Sequence, residues 1–473
     1  MKTKIVATIG PASQNRDVLV KMIQAGVNVI RLNFSHGSYE EQKSRIDLIK
    51  SVNEELGSKV AILADLQGPK IRTGIIPEEG ITLQKGERIV FTKKPMIGTR
   101  ERISVQYSFF ARDVKVDDQI MIDDGKLLFQ VIDTDGVDEV ILEALVTGTI
   151  HSRKGINLPD TDISMPGLTA KDKNDVKDIM SLGVHWIALS FVRSAKDIIE
   201  LKTLIDSYNI PNPPRIIAKI EKPEAILDID NIINISDAIM VARGDLGIEI
   251  PQEKVPILQK QMVKKCLALS KPIIIATQMM EGMITNVRPT RAEVSDVANS
   301  VLDGADALML SGETSVGAYP VEVVETMARI IVEAEGASEN YHRLTPPVNP
   351  ESDRFISDSV LYQSCVLAQQ CGAASINTLT NSGYSAYKLS SQRPLSKLFI
   401  FSNKPHLAET LSLVWGVEAF FLEPQGSTSK TIEAMKEILS NCGALKSGDI
   451  IINLASGPVY EFGKTNMLRL GKL

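Results

Sequence analysis

The sequence of 473 residues has little cysteine, little histidine and no excess of positive charge. Its four cysteines are Cys266, Cys365, Cys371 and Cys442; none forms a CxxC pair, and a reducing cytosol would leave them as thiols. The five histidines are scattered, which argues against a zinc site and favours a hard cation with oxygen ligands if a metal is bound. The formal net charge of −6 argues against a general nucleic-acid binder.

Long apolar runs are also missing. No stretch reaches the roughly 18 apolar residues that a membrane helix needs. The segment KTKIVATIG after Met1 is too short for a signal-peptide core and leads straight into a turn. We therefore expect a cytoplasmic protein with neither a membrane nor a nucleic acid as partner. One ordinary hydrophobic core cannot serve a chain of this length, so we expect two to four domains.

Short β-rich runs recur along much of the chain. They are IVATIG from Ile5, NVIRLNF from Asn28, VAILADL from Val60, WIALSF from Trp186, RIIAKI from Arg215, DAIMVA from Asp237, PIIIAT from Pro272 and DALMLS from Asp306. Most are nearly continuous hydrophobic runs, which are typical of parallel strands buried on both faces. Helical patterns separate most of them; one follows Thr290, which has capping-box spacing to Glu293, and it should end at Gly304.

Strands that alternate with helices in this way predict an α/β fold, a TIM (β/α)8 barrel. The alternative is a doubly wound open sheet. Such a sheet should carry a glycine-rich phosphate turn after its first strand, and the segment TIGPAS found there is not a GxGxxG motif.

The alternation of strands and helices breaks between about residues 69 and 167. The segments ITLQKGERIVFT and LLFQVIDTDGVDEVILEALVTGTI alternate and turn at Gly and Asp-Gly, which predicts an inserted small β-barrel lid domain. The barrel would comprise residues 1–68 and 168–342, with the lid (69–167) over its C-terminal face. The alternative is a decorative insertion. After a Pro-rich linker, residues 343–473 are predicted to form a C-terminal α/β domain.

Polar residues collect where the predicted strands end, and such positions in a barrel are typically catalytic. They are Arg31, Asn33, Ser35, His36, Asp65, Ser190, Lys219, Glu221, Arg243, Gly244, Asp245, Thr277, Gln278, Ser311 and Glu313. Glu221 and Asp245 come from neighbouring strands and suit Mg²⁺, which takes one or two carboxylates and keeps positions for phosphate oxygens. Arg31, Arg72 and Lys219 supply positive charge for a phosphoryl group or an oxyanion. These residues predict a metal-assisted phosphoryl or enolate reaction.

Two other classes of protein stay open on these residues alone. Lys219 at the end of a barrel strand could form a Schiff base, as in an aldolase, and borohydride with substrate would trap that adduct. A non-catalytic metabolite sensor would need the ring of polar residues degraded, whereas Lys219, Glu221, Asp245 and Arg72 are all present.

Several segments resemble the pyruvate kinase family, in order and spacing, over nearly the whole chain. They are RLNFSHG, DLQGPKIRTG, AKIEKPEAI, VARGDLGIEIP, ATQMMEGM, RPTRAEVSDVANSVLDGADALMLSGETSVGAYP and GKTNMLRL. The resemblance implies transfer of the phosphoryl group of phosphoenolpyruvate to ADP, which gives pyruvate and ATP in the last step of glycolysis. It also implies a Mg²⁺ (or Mn²⁺) cofactor and a homotetramer.

By the same resemblance, Lys219 would stabilise the transition state, and Glu221 and Asp245 would hold the magnesium ion. The catalytic residues would be Lys219, Arg72, Thr277 and Ser311, the last two on the proton path to the enolate. The substrate contacts would be Arg31, Lys219, Gly244, Asp245 and Thr277. The nucleotide contacts would be Asn33, Phe34, Ser35, His36, Arg72 and Lys154, with Asp124 on the lid face that closes over the site. As alternatives, His36 could only cap a turn, Thr277 could be an ordinary strand-end hydroxyl, and Glu313 could be structural.

One segment departs from the commonest family pattern. Many members read D-T-K-G-P-E-I-R at the third strand, whereas this chain reads DLQGPKIR, with Lys70 in place of the glutamate. The family's monovalent-cation site would use Asn33, Ser35, Asp65 and the Leu66 carbonyl. We expect the Lys70 ammonium to pair with Asp65 and make K⁺ unnecessary; the alternative is that Lys70 points to solvent.

The C-terminal domain resembles the regulatory domain of the family. Its Asn-Ser-Gly turn at residues 381–383 precedes a helical pattern and could seat a sugar phosphate or AMP as effector. The alternative is an ordinary strand-to-helix turn.

Overall fold

The computed structural model describes residues 1–159, 161, 163–336, 341–457 and 465–473. Its strands are β1 (Lys4–Thr8), β2 (Val27–Asn33), β3 (Ala61–Asp65), β4 (Ile71–Arg72), β5 (Ile81–Leu83), β6 (Arg88–Thr92), β7 (Arg102–Ser104), β8 (Gln119–Ile122), β9 (Leu127–Thr134), β10 (Glu139–Ala144), β11 (Gly148–Ile150), β12 (Gly155–Asn157), β13 (Trp186–Leu189), β14 (Arg215–Ile220), β15 (Ala238–Ala242), β16 (Ile273–Ala276), β17 (Ala307–Leu310), β18 (Ser375–Leu379), β19 (Lys397–Ser402), β20 (Val417–Phe421), β21 (Ile450–Ala455) and β22 (Met467–Lys472). Its helices are α1 (Arg16–Gln24), α2 (Tyr39–Leu56), α3 (Phe110–Asp113), α4 (Ala170–Leu182), α5 (Ala195–Ser207), α6 (Pro223–Leu227), α7 (Ile229–Ile235), α8 (Arg243–Glu249), α9 (Val255–Ala268), α10 (Arg291–Asp303), α11 (Gly312–Ser315), α12 (Pro320–Glu335), α13 (Phe355–Cys371), α14 (Tyr384–Ser391), α15 (Pro405–Thr410) and α16 (Thr428–Asn441).

Eight strands close into a barrel in the order β1, β17, β16, β15, β14, β13, β3, β2, and every neighbouring pair is parallel. They coincide with the eight apolar runs, so the predicted TIM (β/α)8 barrel is confirmed. Alternate residues face opposite sides of each strand. Val6 and Val29 accordingly pack among the residues inside the barrel, whereas Ile5 and Ile30 pack against the surrounding helices.

Helix α10 begins and ends where its sequence pattern indicates. The Thr290 hydroxyl accepts a hydrogen bond from the Glu293 N–H, and the Glu293 side chain accepts one from the Thr290 N–H, which completes the capping box. Gly304 ends the helix in the left-handed conformation, with φ of 104°.

The predicted all-β segment follows β3. Seven of its strands form one sheet in the order β4, β12, β8, β9, β10, β6, β7, and β5 pairs with β11. Phe91 and Phe129 lie in its own hydrophobic core, which is separate from that of the barrel. At the root of this lid, β12 pairs with β4, with Gly155 opposite Arg72, so the two crossings between lid and barrel lie side by side.

The C-terminal α/β domain contains a sheet in the order β20, β19, β18, β21, β22, parallel except for the β21–β22 pair. It covers the end of the barrel opposite the strand C-termini. The Trp186 indole donates to the Thr410 carbonyl, and the buried Arg393 pairs with Asp306 at 3.2 Å. Leu413 packs with the residues inside the barrel. The first two residues of the GKTNMLRL segment, 463 and 464, lie outside the described residues.

Among the helices in the described ranges, none combines the length and the hydropathy that crossing a bilayer requires.

Candidate active site

Lys219 lies at the centre of a buried polar cluster at the C-terminal end of the barrel. Its Nζ atom is 2.7 Å from Ser190 Oγ, 3.0 Å from Glu221 Oε1 and 3.4 Å from Asp65 Oδ1. Burial works against the charge of this ammonium, but Asp65 and Glu221 outweigh it and raise the pKa of Lys219. The side chain therefore stays positively charged, and β14 holds it with its three donors directed to partners.

Asp65 is the partner of two cations. Its Oδ2 atom accepts from Arg31 Nε at 2.7 Å and lies 2.6 Å from Arg31 Nη2, while Arg31 Nη1 donates to Thr8 Oγ1. Burial disfavours a charge on Asp65, yet Lys219 and Arg31 lower the pKa of this carboxyl. The side chains of Arg31, Asp65 and Lys219 come from three different strands, and the barrel register brings them together.

Glu221 and Asp245 follow the neighbouring strands β14 and β15. Glu221 Oε2 accepts a hydrogen bond from the Phe191 N–H at 2.7 Å, and the carboxyl is buried. Burial raises the pKa of Glu221, and the nearby Asp245 carboxylate raises it further although Lys219 opposes both. Asp245 is more open, with 28% of its side chain exposed. Two carboxylates that repel each other beside a cleft are a donor set that fits a hard divalent cation.

A hydrogen bond joins the loops after β15 and β16. The Gly244 N–H donates to Thr277 Oγ1 at 2.7 Å, and Thr277 Oγ1 in turn lies 2.6 Å from the Ala276 carbonyl. Thr277 has a φ of 69°, a left-handed conformation that is uncommon for a β-branched residue. The Arg243 guanidinium reinforces the pair, since it donates to the Thr277 carbonyl at 3.0 Å.

Glu313 connects the loops after β16 and β17. The Ser311 N–H donates to Glu313 Oε2 at 2.7 Å, and the Met280 N–H donates to Oε1 at 3.1 Å. Its carboxylate is thus occupied by backbone donors, an arrangement that fits the alternative in which Glu313 is structural.

The NFSH segment forms a turn beyond β2. Asn33 Oδ1 accepts from the Ser35 N–H at 3.0 Å, and His36 is exposed. Sequence reasoning missed Gln42, which donates to the Asn33 and His36 carbonyls, and Lys171, which donates to the Phe34 carbonyl at 2.7 Å. Both lie on helices among other polar residues, so no local pattern marks them as supports of this turn.

A cleft of about 970 Å³ lies between the barrel end and the lid. Residues from both sides line it; among those predicted for the site are Lys70, Asp124, Gly244, Asp245 and Thr277. Arg72 and Lys154 lie at the lid root: Arg72 Nη1 donates to the Arg153 carbonyl, and Lys154 Nζ is 2.8 Å from Asp123 Oδ1. The loops after β15 and β16 therefore face the same opening as Lys70 and Asp124 of the lid.

The expected pairing of Lys70 with Asp65 is wrong. The Lys70 Nζ atom lies 3.9 Å from Asp245 Oδ1 and 6.0 Å from the centre of the Phe191 ring. Asp65 instead has Arg31 and Lys219 as its cationic partners. The Leu66 carbonyl, another predicted cation ligand, accepts from Ser190 Oγ at 2.7 Å.

Ser190 is the central residue to which sequence reasoning gave no role. Its hydroxyl accepts from Lys219 Nζ and donates to the Leu66 carbonyl. Its position at a strand end, among the other polar residues of the ring, was the sequence feature that could have identified Ser190 as a site residue.

The comparisons with known proteins agree with this arrangement. A family model described as "Pyruvate kinase, barrel domain" matches residues 1–324, and one described as "Pyruvate kinase, alpha/beta domain" matches residues 358–470. Pyruvate kinase of Geobacillus stearothermophilus is 40% identical over 470 residues, which are 99% of this chain and 80% of that protein. Pyruvate kinase of Staphylococcus aureus (strain MRSA252) is 41% identical over 472 residues, with the same two coverages of 99% and 80%.

Among solved structures, a crystal structure of a pyruvate kinase from Cryptosporidium parvum superposes with a TM-score of 0.91 at 34% identity. The match covers 100% of this chain and 96% of that one. The fold, the motifs and both family models agree, and the chain therefore belongs to the pyruvate kinase family of phosphotransferases.

Proposed function

We propose that this enzyme transfers the phosphoryl group of phosphoenolpyruvate to ADP at the strand-end cluster around Lys219. The bond between phosphorus and the enol oxygen breaks, a bond from phosphorus to a terminal ADP oxygen forms, and the enolate takes a proton to become pyruvate. The observation that carries the proposal is a charged ammonium, buried with Glu221 and Asp65 beside a cleft large enough for both substrates. Burying an ammonium with two carboxylates is costly even when they are paired, and a positive charge fixed in this way can stabilise a developing oxyanion.

Lys219 stabilises the negative charge that develops on the phosphoryl oxygens and on the enolate oxygen. Arg31, held by Asp65, and Arg72 at the lid root contact phosphoryl oxygens. Because Asp65 fixes the Arg31 guanidinium before substrate binds, little reorganisation is needed during transfer. Gly244, Asp245 and Thr277, joined by the Gly244–Thr277 hydrogen bond, seat the substrate.

Glu221 and Asp245 would hold the magnesium or manganese ion. The support is the electrostatic conflict between them: the Asp245 carboxylate raises the pKa of the buried Glu221, and a divalent cation relieves that conflict. When bound, the ion neutralises phosphate oxygens and orients them. The ammonium groups of Lys219 and Lys70, beside these two carboxylates, limit their repulsion in its absence.

The proton path to the enolate is assigned to Thr277 and Ser311. Both follow neighbouring strands, and the Gly244 N–H and the Ala276 carbonyl fix the position of the Thr277 hydroxyl. The nucleotide lies against the lid. Its contacts are Asn33, Phe34, Ser35, His36, Arg72 and Lys154. Asp123 holds the Lys154 ammonium at 2.8 Å in the present lid position.

The C-terminal domain is proposed to regulate the enzyme through a sugar phosphate or AMP. A cavity of about 270 Å³ there is lined by hydroxyl and amide side chains, among them Thr380, Asn381 and Ser382. Arg215, the first residue of β14, donates to the Ser382 carbonyl at 2.6 Å. An effector in this cavity would thus contact Ser382, whose carbonyl is hydrogen-bonded to the first residue of the strand that holds Lys219 near its other end. We also propose that the barrel, lid and C-terminal domains meet at residues 68, 167 and 342. The enzyme is further proposed to be a cytoplasmic homotetramer.

The test is a coupled assay with phosphoenolpyruvate, ADP and Mg²⁺, comparing the wild type with Lys219→Met. We expect kcat to fall by roughly 100-fold or more, since the charge acts most strongly in the transition state, while phosphoenolpyruvate binding, followed by thermal shift, changes little. Lys4→Met is the matched control, because Lys4 is also a buried lysine on a barrel strand but donates to the Val417 carbonyl at the opposite end.

A variant Lys219→Met that keeps its kcat and only raises KM would make Lys219 a ground-state binder and contradict its assigned role. Absence of turnover in the wild type would contradict the proposed reaction itself. Borohydride trapping of a Lys219 adduct would favour the Schiff-base alternative.

A further inference from the structure

One carboxylate joins the lid to the loops that carry both predicted metal ligands. Glu249 Oε1 accepts from Asn157 Nδ2 at 2.8 Å and from Lys222 Nζ at 2.7 Å. Asn157 ends β12 of the lid, Lys222 directly follows Glu221, and Glu249 ends the helix α8 whose first turn contains Asp245. A single oxygen atom therefore connects the lid with the segments that bear Glu221 and Asp245.

A second contact connects the returning lid chain with the other side of Glu221. Arg193 donates to the Ile163 carbonyl at 2.7 Å and to the Met165 carbonyl at 2.6 Å. Arg193 lies two residues after Phe191, whose N–H donates to Glu221 Oε2. Segments on both sides of Glu221 therefore contact the lid, one through Asn157 and the other through Ile163 and Met165.

The junction is built from features that a purely structural contact would avoid. Asn157, Lys222 and Glu249 are all buried, and Glu249 Oε2 accepts no hydrogen bond from the residues that the structure describes. A half-satisfied buried carboxylate is costly, and well-packed apolar side chains would join two domains more cheaply. Phe191 adds backbone strain, since its φ is 56° in the left-handed region. An unsatisfied buried carboxylate oxygen and a strained backbone residue therefore lie on the two sides of Glu221, a predicted metal ligand.

We propose that Asn157, Glu249 and Lys222 act as a positioning junction that couples the place of the lid to the place of the Glu221 carboxylate. The inference rests on the proposed function, in which Glu221 holds the metal ion. The three residues touch neither substrate nor metal; they act through the peptide that joins Lys222 to Glu221 and through helix α8. The spare Glu249 oxygen can accept a donor when the lid shifts, so the link survives lid movement.

The experiment exchanges donor and acceptor across the junction. Asn157→Asp sets two carboxylates against each other, and Asn157→Asp combined with Glu249→Gln restores one amide-to-carboxylate hydrogen bond. Asn157→Ala removes the donor without adding charge. Asn231→Asp is the matched control, because Asn231 also donates to a carboxylate, that of Asp228, but on the barrel surface.

Two quantities are measured in each variant. The first is amide hydrogen exchange of the peptide that contains Phe191, in the absence of substrate and metal, which reports whether Glu221 still holds that N–H. The second is kcat and KM for phosphoenolpyruvate. In Asn157→Asp we expect faster exchange at Phe191 and a kcat lowered roughly tenfold or more, equivalent to about 1.4 kcal/mol in the barrier, with KM changed less than about threefold.

The double variant should recover part of both effects, and Asn231→Asp should show neither. Unchanged Phe191 exchange and unchanged kcat in Asn157→Asp and Asn157→Ala would overturn the proposal. A loss of melting temperature without a change in exchange or in kcat would also overturn it, because the junction would then be only structural. If the wild type lacked phosphoryl transfer, the proposed function would fail, whereas the exchange measurement would still test the coupling.

Discussion

Replacing Lys70 with glutamate should make turnover depend on potassium, whereas the wild-type enzyme should not need it. Lys70 Nζ lies 3.9 Å from Asp245 Oδ1, and an effective dielectric constant of about 20 gives roughly 4 kcal/mol for two unit charges at such a distance. The two side chains are 29% and 28% exposed, so screening leaves about a quarter of that, roughly 1 kcal/mol. Reversing the charge turns attraction into repulsion and doubles the change to about 2 kcal/mol.

Potassium independence of the wild type cannot rest on a Lys70–Asp65 pair, which the structure does not contain; other contacts support it. Asp65 has two cationic partners, Arg31 and Lys219, and the Leu66 carbonyl accepts from Ser190. Two of the predicted potassium ligands are therefore already occupied by donors of the protein. Lys70 adds its positive charge on the Asp245 side of the cleft, where a phosphate can use it.

The assay is kcat/KM for phosphoenolpyruvate with Mg²⁺ saturating and either K⁺ or tetramethylammonium as the sole monovalent cation. The kcat/KM of the wild type should differ less than about threefold between the two cations. The kcat/KM of Lys70→Glu in tetramethylammonium should be about 10-fold to 100-fold below that of the wild type, and K⁺ should restore much of it. Lys70→Met removes a charge without adding an anion, so its kcat/KM in tetramethylammonium should lie between those of the wild type and Lys70→Glu. Lys94→Glu is the control, since Lys94 is a lid lysine that pairs with Asp138 on the surface.

Two results would refute this reasoning. One is a rise of more than about tenfold when K⁺ is added to the wild type, on the order of 1.4 kcal/mol in the barrier. The other is a Lys70→Glu enzyme that loses activity but gains no response to K⁺, because the lost charge would then have a role that a monovalent cation cannot fill.

Glu221→Gln and Asp245→Asn should each move the midpoint of Mg²⁺ activation to higher concentration, since each removes a carboxylate ligand; an unchanged titration would contradict the assignment. Deleting residues 67–166 with a short glycine linker should leave a folded barrel, checked by circular dichroism, with almost no turnover, and full activity would make the insert decorative. Burial, aided by His185 nearby, lowers the pKa of His406 from the usual 6.5 to about 4. The unfolded chain therefore binds this proton first, and stability should fall as the pH drops from about 6.5 to about 4. The melting temperature of His406→Gln should fall less than that of the wild type between about pH 7 and pH 4.5, and equal falls would rule out this contribution.

Local patterns predicted those parts of the fold whose causes are local. The eight apolar runs became the eight barrel strands, because burial on both faces requires such runs. Lys219 and Glu221 were both predicted as polar residues where a strand ends, and their charged groups lie 3.0 Å apart. The capping box of Thr290 and Glu293 likewise needs only a few neighbouring residues.

Local patterns could not predict which side chains form ion pairs or hydrogen bonds with residues far away in the sequence. Lys70 has a long flexible side chain, and whether it reaches Asp65 or Asp245 depends on how the lid root sits on the barrel. That placement comes from the pairing of β4 with β12 and from the contact of Asn157 with Glu249, which is 92 residues away. Lys171 was missed for the same reason, because its partner, the Phe34 carbonyl, is 137 residues away. Gln42 was missed although its partners are near in sequence, because they are backbone carbonyls in a turn whose conformation the sequence pattern does not give.

The charges at the strand ends support the proposal that a divalent cation and a lysine act together. Arg31 and Lys219 balance Asp65 and Glu221, and Lys70 is the cationic partner of Asp245, so these contacts sum to no net charge. A substrate that carries a phosphate and a carboxylate brings negative charge into this neutral cluster. A divalent cation held by Glu221 and Asp245 supplies two positive charges and leaves Lys219 and Arg31 free to act on the phosphoryl group. Glutamate at position 70 would give the same contacts a net charge of two negative units. For that reason Lys70→Glu should raise the Mg²⁺ requirement as well as create one for K⁺, and a new K⁺ requirement with an unchanged Mg²⁺ requirement would show that the two cations act at separate sites.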